Sequence, residues 1–419
     1  MKRRTLIPGI GAAAALLLAS AFRPAEDGPQ PGDVTYSDVA PILNRHCVEC
    51  HRPGEVAPFS LIGYDNARRW SQMISIVTQS RRMPPWKADH GFGEFLDENR
   101  LSEQQLQILK AWHAAGAPRG DRSKEPAPPK FTSDWPIRKP DLILKPARPF
   151  KLEAEGDDVY RNFVLKTDFK ETKWVTAMAV RPGNPKVVHH VIGFLDASGR
   201  SHELEKGQND GQEGYVTFGG PGFIPSGSLG GWAPGLRIRE TAPGTAFELR
   251  PGTTIVMQVH YHKSGKPETD QTQIGLYFAD KPVEKPMRLA WIANPMIRIL
   301  PGQKEQKFSM TYPVPRNITA YAVMPHMHLL GRLMKAEVEL PDGSRKPLVR
   351  VSDWDFNWQL NYVFKEPIKI PAGSRIRVEA IYDNSSDNPH NPSNPPRLVT
   401  WGEETTDEMF LLIAAYTVD

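Results

Sequence analysis

Proline most restricts what this chain can fold into: it fills 40 of 419 positions, about twice the usual share of roughly 5%. Each proline fixes φ and removes a backbone donor, so long helices and uninterrupted central strands are disfavoured. Hydrophobic residues still make up 39% of the chain, enough to build cores. Short alternating runs (253–261, 335–340, 376–382) alternate with turn signals at Pro251-Gly252, Pro301-Gly302 and Asp342-Gly343. That pattern predicts antiparallel β-sandwiches, and the stretch after residue 149 is long enough for two.

Only two cysteines occur, so no disulfide framework can exist. Lys plus Arg is 52 against 48 Asp plus Glu, for a formal charge of +4. Three of the cations (Lys2, Arg3, Arg4) fall in residues 1–21, which read as a signal peptide: a basic start, an apolar stretch and small residues at Ala19 and Ala21. An uncleaved anchor is the alternative. The mature chain is then near neutral, which argues against nucleic-acid binding. It is expected in the periplasm or otherwise exported, with no membrane span. Exported proteins usually carry disulfides, so the two cysteines have another use.

Cys47-Val48-Glu49-Cys50-His51 is the spacing of a c-type haem attachment site. A redox disulfide would leave His51 unexplained, and a zinc site would need a second Cys/His pair that is missing. For the other axial ligand, Met83 in Arg82-Met83-Pro84-Pro85-Trp86 is favoured, with Trp86 against the haem ring. Met73 is the rival, set on an apolar helix face. Ser37 is expected to cap a helix leading into the motif, and Ser102 with Gln105 forms a capping box before Leu106, Leu109 and Trp112. Residues 34–121 resemble a class I cytochrome c, which implies a small all-α domain. Residues 122–149, crowded with proline and lysine, read as a semi-rigid linker. The fold class expected is thus an all-α cytochrome c domain followed by two all-β, jelly-roll-like sandwich domains, 150–285 and 286–419.

Six of the 12 histidines fall in three clusters: His189-His190, His260 with His262, and His326 with His328. Residues two apart in a strand share a face, so His326 and His328 can hold one metal, whereas His189 and His190 need a strand end or bend. Imidazole-rich sites suit copper or zinc. VVHHVIGF, MQVHYH, MPHMHLLG and TTDEMFLLIAAY occur in the order found in copper type II monooxygenases, the family of peptidylglycine α-hydroxylating and dopamine β-monooxygenases, and the chain resembles them from about residue 150 to 419. The resemblance implies two copper ions beside the one covalently bound haem c. His189, His190 and His260 would hold an electron-storing copper, and His326, His328 and Met409 the catalytic one. His262 has no counterpart; contact with a ligand residue and plain strand surface both remain open. The implied reaction is O2-dependent hydroxylation of a substrate C–H bond.

Three departures from the family bear on function. Its disulfides cannot form here. The arginine that grips a substrate carboxylate is replaced by Met324, and the Asn and Tyr after the methionine ligand by Leu411 and Ile413. The substrate expected is therefore an apolar small molecule. The fused haem suggests that electrons come one at a time from an external donor, a redox protein or a small reductant, through the haem. The alternatives are an oxidoreductase using another acceptor, or a periplasmic copper/haem electron-transfer or copper-binding protein without hydroxylase activity, helped by Met324 and Met327 near the His pair. Asp355-Phe356-Asn357-Trp358 reads as strand core rather than a substrate platform, and the Asn/Pro cluster 383–392 as turn chemistry.

Overall fold

The computed structural model describes residues 32–96, 98–131 and 135–419; the expected signal peptide lies outside them. Among the described residues no helix is long and apolar enough to cross a membrane.

Four helices (Tyr36–His46, Tyr64–Arg69, Ser71–Gln79, Glu103–Ala114) pack around Val39, Leu43, Leu109 and Trp112, each wholly buried. The first starts at Thr35 rather than at the expected Ser37: Asp38 accepts the Thr35 N–H at 2.8 Å, while Ser37 lies one residue inside the helix. The last carries the expected box, with Gln105 N–H donating to Ser102 Oγ at 3.2 Å and Ser102 N–H to Gln105 Oε1 at 2.9 Å.

The rest is mostly β. One pair of sheets is built from strands within residues 142–286. The first has the order Leu142–Leu144, Gln273–Phe278, Lys173–Arg181, Thr245–Leu249, Lys285–Pro286. The second runs Tyr215–Val216, Val159–Leu165, Thr254–Tyr261, Val188–Asp196, Gly227–Trp232. Their inner faces meet through Val175, Leu276, Val191, Met257 and Val259. A further pair uses strands between 288 and 418: Arg288–Ala293, Leu411–Val418, Ile318–His326, Tyr362–Ile370 opposite Gln306–Pro313, Arg375–Tyr382, Gly331–Glu339, Arg345–Val351. Val323, Leu412, Ala336, Val378 and Tyr382 fill that core. Apart from the short parallel pairing of Lys285–Pro286 with the Thr245–Leu249 strand, these are antiparallel sandwiches, as the turn spacing predicts.

Three expectations about segments change. Leu142–Leu144, inside the stretch read as a linker, pairs with Gln273–Phe278, and Trp135 is buried against Ala177, Ala179 and Tyr277. Apolar side chains thus anchor the proline-rich stretch to the sheet. Trp86, expected against a haem, instead meets Tyr362 edge-on with ring centres 5.2 Å apart, and Ala88 and Phe95 join the core of the second sandwich. The reason is backbone pairing: Asp89 N–H donates to Arg350 O at 2.7 Å in one sheet and Leu96 N–H to Val363 O at 2.8 Å in the other, tying residues 89–96 to both sheets of that sandwich. The segment 355–358 is a loop, not strand core. The 383–392 cluster is turn chemistry as expected, with buried Asn384 donating to the carbonyls of Ile299 and Arg397.

Candidate metal centres

His260 lies near the end of the Thr254–Tyr261 strand. Alternation sends Ile255, Met257, Val259 and Tyr261 into the sandwich core and Val256, Gln258 and His260 to the opposite face. On the neighbouring strand His190 pairs with His260 and Val188 with Tyr261, with a bulge at His189 between them. Two residues thus oppose one, and the bulge turns both adjacent imidazoles toward His260. The bend that neighbouring ligands require is supplied by this extra residue.

The three rings converge. Nδ1 of His190 lies 3.2 Å from Nδ1 of His189 and 3.3 Å from Nδ1 of His260, and one donor atom from each residue fits within 4.8 Å of the others. Two imidazoles on one ion, with bonds near 2 Å at tetrahedral angles, put their nitrogens about 3.3 Å apart, so this group fits a metal. His260 Nε2 contacts Asp158 Oδ2 at 2.8 Å, which directs its Nδ1 inward. His262 Nδ1 meets the other Asp158 oxygen at 3.0 Å, so His262 braces Asp158 and stands outside the ring cluster. Tyr160 stacks on His260 with centroids 4.3 Å apart.

The second group forms where two neighbouring strands meet. His326 ends Ile318–His326 and pairs with Leu411, which opens the adjacent strand just after Met409. His326 Nε2 lies 3.2 Å from Met409 Sδ, while its Nδ1 is 2.5 Å from Gln359 Oε1. His328 is buried, with Nδ1 3.2 Å from the Asp407 carbonyl. In both rings the Nδ1 side is taken by an oxygen acceptor, which leaves Nε2 as the ligand atom. Two such nitrogens beside a thioether fit a soft cation such as Cu(I). Glu408, wholly buried, ties the site together by accepting N–H bonds from His328 at 2.8 Å, Leu330 at 2.6 Å and Met409 at 3.1 Å.

Burial lowers His189 and His326 to about 4, His328 to about 3, and His190 well below its ordinary value. All four imidazoles are therefore neutral at pH 7, the form that binds metal. Phe356 lies between the two groups, its ring stacked on His189 at 5.4 Å and edge-on to His328 at 5.6 Å. The Asp355–Gln359 loop thus touches both.

In the helical part, Cys50 and His51 donate N–H bonds to the Cys47 carbonyl at 3.2 and 2.9 Å, curling the motif into one turn. His51 Nδ1 faces the Phe59 carbonyl at 3.2 Å, so Nε2 is the nitrogen left to ligate. Both cysteines are free, and burial pushes Cys47 up to about 12 and Cys50 to about 11. That is opposite to a reactive redox thiol. Met83 is half-buried beyond the Ser71–Gln79 helix, with its N–H on Val77 O at 3.0 Å, whereas Met73 is 47% exposed.

The motif faces the β region. Arg237 Nε lies 2.9 Å from Glu49 Oε2 and Lys87 Nζ 2.7 Å from Asp353 Oδ2. Gly235, at φ +84°, lets Trp358 approach: a Cβ there would lie 3.2 Å from the indole. Between the sandwiches lies a cleft of about 1690 Å³ lined by His190, His326, His328 and Met409.

Sequence reasoning missed Asp158, Gln359, Glu408 and Tyr160, of which only Glu408, a charge leading into an apolar strand, left a signal; Phe356 was singled out but read as strand core.

No protein-family model and no curated protein matches the chain. Solved structures with some likeness include the infectious bursal disease virus VP2 subviral particle (9% identity over 70% of this chain and 83% of that chain, TM-score 0.17). Another is the major capsid protein P2 from bacteriophage PM2 (9% identity, 64% and 97%, TM-score 0.19). At such scores the likeness carries no argument.

Proposed function

We propose that this protein is an exported, copper-dependent monooxygenase that hydroxylates a C–H bond of an apolar small molecule with O2, drawing electrons through a c-type haem on Cys47, Cys50 and His51. The observation that carries the reading is the His326–Met409 contact, 3.2 Å between Nε2 and Sδ, across one cleft from a separate three-imidazole cluster. When bound, copper would supply one-electron exchange and O2 activation, and the haem single electrons.

The chain's own residues do the rest. Gln359 and the Asp407 carbonyl hold His326 and His328 in one tautomer, Asp158 does so for His260, and Glu408 fixes the backbone on either side of the His328/Met409 pair. Phe356 stands between the clusters in ring contact with His189 and His328. Residues 34–121 would supply a class I cytochrome c unit, in which Cys47, Cys50 and His51 would hold the haem and Met83 would be its second ligand. The Glu49–Arg237 and Lys87–Asp353 pairs keep it against the cleft, so the donor stays at high effective concentration.

The non-enzymatic copper-carrier reading leaned on Met324 and Met327. Met327 is wholly buried in the sandwich core, away from the imidazoles, which weakens it. Metal analysis with oxygen uptake tests the proposal: about two coppers and one haem per chain, with uptake abolished in Met409→Ile, is expected, and copper binding without uptake under varied reductants would overturn it. Replacing His51 or Met83 should stop turnover driven by a reduced cytochrome but spare turnover driven by a small reductant; equal loss under both would sink the haem route.

A further inference from the structure

The sheet that carries His326 continues away from it as an apolar floor. In its first row Ala293, Leu411 and His326 are register partners across three strands. Two residues further along, where side chains return to the same face, the partners are Trp291, Ile413 and Met324. Two further still they are Leu289, Ala415 and Ala322. Every member of the three rows lines the cleft, and apart from His326 none is polar. The alternate residues of the same strands, Ile292, Leu412 and Val323, point into the sandwich core, so this face belongs to the cleft alone.

The opposite wall comes from the other sandwich. Phe194 stacks over Trp291 with centroids 6.5 Å apart, and Ile192 follows it toward His190. The middle row is therefore the narrow point. The third row is wide, because Ala322 and Ala415 present single methyl groups beside Leu289. Two steps of two residues at roughly 3.4 Å each give a floor about 14 Å long.

We infer that this floor binds an uncharged, elongated hydrocarbon skeleton, with its slender end beside His326 and Met409 and its bulk over Ala322 and Ala415. A carboxylate or ammonium laid on the floor beyond His326 would lose its hydration with no polar partner among the other eight residues. Length and neutrality are the recognised features, and a compact polar substrate would leave the outer rows wet. The inference rests on taking the His326 end as the reacting end.

The test is titration calorimetry of the full-length, metal-loaded protein under nitrogen and without reductant, using 4-alkylphenols from propyl to nonyl and 4-alkylbenzoates of matching length. For the phenols each added methylene should tighten binding about three- to fourfold until the floor is filled, after which affinity levels off. The benzoates should bind at least tenfold more weakly at every length. Ala415→Phe should move the plateau to a shorter chain, and Ile413→Asp, in the narrow row, should weaken all phenols at least tenfold. Circular dichroism identifies which variants have folded.

Affinity independent of length, benzoates binding as well as phenols, or an unchanged ladder in both folded variants would overturn the inference. A length ladder that shifts with Ala415→Phe in protein that takes up no oxygen would keep the slot while removing the monooxygenase reading. The two can therefore fail separately.

Discussion

At the scale of single residues, His260, His326 and His328 are each oriented by an oxygen behind the ring. Asp158 is the most exposed to test because it serves two histidines: burial pushes its carboxyl up, but His260 and His262 outweigh that and keep it ionised. Asp158→Ala should lower copper affinity at the three-imidazole group by about 10- to 100-fold and leave the His326/His328/Met409 group unchanged, as read by competition with a Cu(I) chelator. Glu408→Leu should cost about 3 kcal/mol, since three backbone N–H groups would be left buried without an acceptor; denaturant unfolding measures it. The ligands themselves were legible in the sequence because histidine is rare and clusters stand out. Their supports were not. Asp158 lies about 100 positions from His260 and Gln359 lies 33 from His326, and neither residue type is unusual where it stands.

Among elements, strand positions could be read from alternation and turn residues, and the expected 253–261 and 376–382 runs appear as Thr254–Tyr261 and Arg375–Tyr382. The bulge at His189 could not be read, because a one-residue excess shows only once the partner strand is in register. The role of the 355–359 loop was hidden in the same way: aromatic residues suggest core, and only tertiary placement puts Phe356 between two metal groups. Phe356→Ala should lower stability by about 2 kcal/mol while both groups keep their metal stoichiometry. Thermal unfolding with metal analysis checks this. A capping device offers an independent test. Burial pushes the Asp196 carboxyl up, but hydrogen bonds involving Ser198 and Ser201 outweigh it and bring the group down to about 2. The folded state then holds fewer protons than the unfolded chain between pH 3.8 and 2, so Asp196 contributes fully above that window and loses its contribution as pH falls through it. Asp196→Asn should cost about 2 kcal/mol at neutral pH, and its deficit relative to the parent should vanish near pH 2.

For the molecule as a whole, the helical part is not an independent bead on a string. Trp86, Ala88 and Phe95 lie in the second sandwich, and Asp89 binds Arg350 and Ser352. A chain begun at residue 122 would expose Tyr362 and Phe364 along an open sheet edge, and its melting temperature should fall by about 6–12 °C (about 3 kcal/mol at roughly 2–4 °C per kcal/mol) relative to the full-length protein. The two sandwiches are joined just as firmly. Lys285–Pro286 belongs to one and Arg288–Ala293 to the other, leaving only Met287, itself buried, between them, and Asp419 reaches back to Lys285 at 2.6 Å. A seam one residue long, with Met287 buried in it, leaves little slack for jaw-like breathing. Whatever enters must thread in from the open side at a rate governed by its own shape, and selectivity between a thin guest and a stout one is decided at the doorway rather than by a later clamping movement.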